Sequence, residues 1–133
     1  MKVVIDTNII VSALMNKNSV PGRVLLLVFG GKLTPLFDNR TMSEYISVLS
    51  RREFSFDEEI INHFINFIKD MGEYVIAEFS GKKFTDEADK KFYEIYKSGE
   101  ARYLITGNKK HFPAETGIVT PREFLEKEYE ASG

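Results

Sequence analysis

The chain has 133 residues, 43% of them hydrophobic and none of them cysteine, and its formal net charge is −2. That is the length of a single domain, expected over residues 1–133, with enough apolar content for a sizeable core. The composition excludes intrinsic disorder, a disulfide scaffold, a zinc–thiolate site and a thiol nucleophile. It also excludes a general, strongly basic nucleic-acid binder. Any polyanion contact has to come from local patches: Arg51-Arg52, Lys82-Lys83, Lys90-Lys91 or Lys109-Lys110-His111. Each of these reads equally as solvated surface. No apolar run approaches the ~18–20 residues that cross a bilayer. Met1-Lys2 leads straight into the first strand, so no secretory leader is expected, and the lack of cysteine fits a reducing cytoplasm. There is no repeat or linker, and residues 130–133 are expected to be loose.

Val3-Val4-Ile5 is a short β-branched run that reads as a buried parallel strand over residues 2–6. A short helix over residues 8–14 follows. Val20-Pro21-Gly22 opens another helix, with Val24, Leu25, Val28 and Phe29 on one face and Gly30-Gly31 ending it. Residues 32–37 read as the second strand. Its Pro35 cannot donate to a ladder, which points to a strand edge or start. Thr41-Met42-Ser43-Glu44 matches a capping box opening a helix to residue 52, with Met42, Tyr45, Ile46 and Leu49 as the buried stripe. Ile60, Ile61, Phe64, Ile65 and Ile68 mark a helix over residues 57–71. Residues 74–79 read as a third strand, and Thr85 as the N-cap of a helix ended by Gly99. Strands over 103–106 and 117–119 follow. Thr120-Pro121-Arg122-Glu123 is a further capping box with proline at the first helical position. Strands alternating with helices predict an α/β fold of three layers, a central parallel sheet of about five strands with helices on both faces.

In such sheets ligands bind at the carboxyl ends of the strands, and right-handed crossovers bring separated residues to that edge. Asp6 ends the first strand, Glu44 lies at a helix start, Asp89 in the first turn of a later helix, and Asn108 just after the fourth strand. A carboxylate facing a crevice is costly unless a metal ion, a Lys or Arg, or a helix N-terminus meets it, and oxygen ligands from several strand ends suit magnesium or manganese. Each residue has a structural reading as well. Asp6 can cap the following helix, and Glu44 can be the glutamate of its capping box. Asp86, Glu87 and Asp89 crowd a first turn where acids favour the macrodipole, and Asn108 can be a turn residue. His63 and His111 lack metal-ligand spacing and read as structural. The phenylalanines at 64, 67, 92 and 124 read as core or dimer surface before base-stacking platforms.

Taken together, Val3-Val4-Ile5-Asp6-Thr7-Asn8, a helix carrying Glu44, Asp89 at a later helix start, and Tyr103-Leu104-Ile105-Thr106-Gly107-Asn108-Lys109-Lys110-His111-Phe112-Pro113 resemble the PIN domain, the nuclease fold of VapC-type toxins. The resemblance covers nearly the whole chain, and it is the order and spacing of the motifs that is specific. It implies a magnesium- or manganese-dependent endoribonuclease acting on single-stranded RNA, the toxin of a toxin–antitoxin pair, with a cognate antitoxin protein as partner and a homodimer as assembly. By the same resemblance Asp6, Glu44 and Asp89 are the acids of the site, and Asn108 falls where many members have a fourth Asp. Asn8 and Thr106 support the site. Asp6, Asp89 and Asn108 are the expected metal ligands, and Glu44 is expected to hold or deprotonate a water. Arg102 stands where this branch often has Asp.

Two other classes compete. One is a catalytically degenerate PIN-like module that binds RNA or protein. The other, a phosphoryl-accepting regulatory domain, needs an acid pair after the first strand and an acceptor Asp after a middle one, and neither is present. No Gly-rich phosphate loop and no Ser-His-Asp arrangement is visible.

Overall fold

Val3, Val4 and Ile5 are almost wholly shielded from solvent, as a strand covered on both faces must be. They form β1 (Lys2–Ile5), the middle of a five-stranded sheet in the computed structural model, which describes residues 1–130. β2 (Thr34–Phe37) and β4 (Tyr103–Ile105) flank it, and β3 (Glu73–Tyr74) and β5 (Ile118–Val119) form the margins. The order is β3-β2-β1-β4-β5 and every pairing is parallel, with Val3 opposite both Pro35 and Tyr103, and Ile5 opposite Ile105. The direction of strand progression reverses between β1 and β4. Their carboxyl ends therefore form the switch-point crevice of a doubly wound sheet.

The helices are α1 (Thr7–Met15), α2 (Val20–Phe29), α3 (Asn39–Leu49), α4 (Glu58–Met71), α5 (Lys90–Ser98) and α6 (Pro121–Leu125). They cover both sheet faces, giving the expected three-layer α/β/α architecture. α5 lies across β2, β1 and β4. Phe64, Phe92 and Phe124 are core residues, and Tyr45 packs against both Phe64 and Phe92. Each such ring removed from water contributes roughly 2–3 kcal/mol.

Several expected boundaries move, each for a local reason. α3 is capped by Asp38, whose carboxylate accepts from the Thr41 N–H at 3.0 Å while the Thr41 hydroxyl accepts from the Asp38 N–H at 3.1 Å. The capping box is therefore Asp38–Thr41, not Thr41–Glu44, and the helix begins earlier than expected. Ile46 and Ile60, assigned to buried stripes, are exposed. The strand expected over 74–79 is only Glu73–Tyr74, and beyond it Ile76 and Phe79 are almost fully solvent-accessible. Asp86 rather than Thr85 caps the next turn, accepting from the Ala88 N–H at 2.9 Å.

Pro35 lies in an internal strand, not an edge. The Thr34 N–H donates to Met1 at 2.8 Å, so strand alternation turns the Pro35 nitrogen away from β1. On that other side β3 begins only opposite Leu36, and the missing donor is not needed. Of the tail expected to be loose, Glu130 pairs with Arg23 at 2.9 Å, and residues 131–133 lie outside the described residues.

Candidate active site

The switch-point crevice is a cleft of about 310 Å³. Asp6, Asn8, Glu44, Asp89 and Asn108 all line it, having arrived from β1, α1, α3, the start of α5 and the loop after β4. Thr106, at 0% exposure, lies beneath them. The Thr106 hydroxyl donates to Asp6 Oδ2 at 2.7 Å and accepts from the Asn108 N–H at 3.0 Å. One buried side chain thus ties the deepest carboxylate to the loop that carries Asn108.

None of the three acids performs the capping duty that a structural reading would give it. Asp6 precedes α1 without any side-chain cap hydrogen bond. Asp89 precedes α5 in the same uncapping way, the cap of that turn being Asp86. Glu44 sits inside α3, freed by the Asp38–Thr41 box. The Asn108 side chain does not cap the turn over Lys109–His111 either.

The electrostatics follow from crowding and burial. Asp6 is pushed up to about 6, chiefly by burial, against the lowering effect of the Thr106 hydrogen bond; the charges of Asp89 and Glu44 add to the rise, and the backbone N–H of Asn8 opposes it. Asp89 is also raised, first by burial and then by Asp86, with His111 opposing and Glu44 adding. Its Oδ2 is buried and accepts no hydrogen bond among the described residues. The His111 Nδ1 lies 3.3 Å away but without hydrogen-bond alignment. Glu44, by contrast, is compensated: Thr7 donates to its Oε2, and Lys91 Nζ lies 2.6 Å from its Oε1.

Thr7, Lys91 and His111 are the neighbours that sequence reading missed. Thr7 was within the Asp6-Thr7-Asn8 motif, whereas Lys91 belonged to a Lys pair read as surface and His111 was read as structural. Arg102, the departure from the family pattern, forms an ion pair with Glu128 at 3.2 Å, and its N–H donates to Lys2 at the amino-terminal end of the sheet. It is on the far side from the cleft.

The carboxylate and amide oxygens around this cleft are the donors a hard divalent cation prefers, and an unpartnered buried carboxylate oxygen is the kind of group such an ion satisfies. The donor set therefore fits magnesium or manganese, with Asp6, Asp89 and Asn108 as the holding residues. Among the described residues, though, no three His, Asp or Glu side chains stand close enough together to hold an ion without adjustment. The residues share a cleft, and Glu44 is already engaged by Lys91.

A parallel 3-2-1-4-5 sheet with acids gathered at its switch point defines a doubly wound α/β domain with an acidic cleft. The PIN domain model matches residues 2–110, and the chain belongs to the PIN domain family. PIN domains are generally nucleases and typically use divalent metals. The chain is also similar to an uncharacterized protein of Methanocaldococcus jannaschii, 28% identical over 142 aligned positions that cover 96% of this chain and 91% of that one. Among the described residues no helix is long and apolar enough to cross a membrane.

Proposed function

We propose that the protein is a metal-dependent endoribonuclease acting on single-stranded RNA, and the toxin of a toxin–antitoxin pair. The observation that carries the nuclease reading is the release of Asp6, Glu44 and Asp89 from structural capping while they line one crevice. The toxin role, with an antitoxin protein as partner and a homodimer as the assembly, is supported by the likeness of the stretch from Tyr103 to Pro113 to the toxin branch.

Asp6, Asp89 and Asn108 would hold the cation. When bound, it acts as a Lewis acid that activates water and offsets charge on the phosphodiester. Thr106 fixes the rotamer of Asp6 through the 2.7 Å hydrogen bond, so one ligand is pre-oriented. Glu44 would hold the attacking water or accept its proton. His111, beside Asp89 at the rim, opposes the rise in that carboxyl's pKa. Cleavage leaves a 3′-hydroxyl and a 5′-phosphate.

The test is incubation of purified protein with single-stranded RNA and manganese beside the Asp6→Asn variant. Cleavage by the parent alone is expected; equal cleavage by both would assign the activity to a contaminant. A second reading, a degenerate module that binds RNA or protein, is favoured by the engagement of Glu44 with Lys91 at 2.6 Å. Calorimetry separates the two, because such a module binds no manganese.

A further inference from the structure

Glu44, which lines the cleft, already has a cation against it. Lys91 is only 15% exposed, with its Nζ 2.6 Å from Glu44 Oε1, and it also donates to the Ala88 carbonyl. With Thr7 on Oε2, both oxygens of Glu44 are satisfied. On the other side of the cleft Asp89 Oδ2 is buried without a hydrogen bond and Asp6 has the Thr106 hydroxyl but no cation. The crevice is thus split into a half where an ammonium faces Glu44 and a half where Asp89 has only the His111 imidazole, Nδ1 at 3.3 Å, beside it.

Lys91 is held in this place by a second contact. One turn from Glu44 on α3, Arg40 Nη1 lies 2.6 Å from Glu94 Oε1, one turn from Lys91 on α5. Both helices read basic then acidic along the chain, so antiparallel rungs pair Arg40 with Glu94 and Glu44 with Lys91. A shift of either helix would break both rungs together.

Resting on the ribonuclease reading, we propose that the centre takes a single divalent cation on its Asp6–Asp89 side and that Lys91 is the resident counter-ion at Glu44, standing where a second metal ion would otherwise bind. One divalent ion and one ammonium balance the charge of the three carboxylates, and no fourth acid stands at Asn108 to call for more. An ammonium with three donors can keep Glu44 and still offer a hydrogen bond to a phosphate oxygen.

Manganese titration of the full chain by calorimetry, with the manganese electron paramagnetic resonance spectrum recorded in parallel, tests this. The parent should bind one ion per chain and show an isolated-ion spectrum. Lys91→Met keeps the aliphatic stem and removes the charge. It should admit a second ion, give the broadened spectrum of a coupled pair, and tighten the first ion by about tenfold. Lys91→Arg should stay at one ion. Two ions in the parent, or Lys91→Met unchanged in stoichiometry and affinity, would overturn the proposal while leaving the ribonuclease reading intact. A parent that binds no manganese would overturn both. The parent's stoichiometry decides the question even if Lys91→Met does not fold.

Discussion

Thr106 Oγ1 and Asp6 Oδ2 lie 2.7 Å apart across the seam between β4 and β1, joining residues a hundred positions apart in the chain. Both side chains are buried, so this bond sets the orientation of the deepest carboxylate in the cleft. Thr106→Val keeps the shape, deletes the donor and leaves the Asn108 N–H without its acceptor. The variant should lose about 1–3 kcal/mol of stability in urea unfolding. Its Asp6 carboxyl should also titrate higher than in the parent, as followed by carbon NMR. Thr106→Ser should restore both.

The raised Asp6 carboxyl fixes the sign of a pH dependence. Its value rises from 3.8 to about 6 on folding, so the folded state holds the proton more tightly than the unfolded state does. This group's contribution to stability is fully present below about pH 4 and is lost as pH rises to 6. The full change amounts to about 3 kcal/mol, and Asp89, also raised, acts in the same direction. Without divalent ions, thermal unfolding should show stability falling across this window. Saturating manganese should raise the melting temperature most at neutral pH. An unfolding midpoint flat from pH 4 to 6 would contradict it.

Asp6→Asn separates the two sides of this balance. At neutral pH and without metal the variant removes a buried charge, and should be more stable than the parent by about 1–3 kcal/mol in denaturant titration. Its RNA cleavage in manganese should fall at least about a hundredfold. A variant both inactive and destabilised would mark Asp6 as structural.

The Arg40 rung is open to a direct test. Glu94 and Asp38 are buried carboxylates that share the Arg40 guanidinium, and Glu94 also accepts from the Ser80 N–H at 2.6 Å. Arg40 itself is about half exposed, so its loss should cost less than that of a fully buried partner, about 2–3 kcal/mol. The double variant Arg40→Met with Glu94→Gln should recover part of that loss, because no uncompensated charge then remains at position 94. Equal losses in the single and double variants would mean that the charge of Glu94 plays no part.

The sheet was legible from the sequence because buried parallel strands are short β-branched runs, and Val3-Val4-Ile5 and Tyr103-Leu104-Ile105 leave little choice of register. Asp6, Asp89 and Asn108 were legible for the same reason, since each follows such a run or precedes a helix, whereas Glu44 was reached through a capping box that lies one turn earlier. The third strand was not: Ile76 and Phe79 have strand-like character, and only tertiary context leaves them facing water. Asp38–Thr41 and Thr41–Glu44 both satisfy the capping pattern, and the choice depends on where β2 ends. Lys91 could not be singled out, because its partner lies 47 positions away on another helix.

The outermost strands, β3 and β5, are two residues long. Each margin offers an incoming chain no more than a hydrogen bond or two, too little to template strand addition. The sheet is closed to growth from either side, which guards against edge-to-edge aggregation. Any lasting association with another polypeptide must be made through helix and loop side chains.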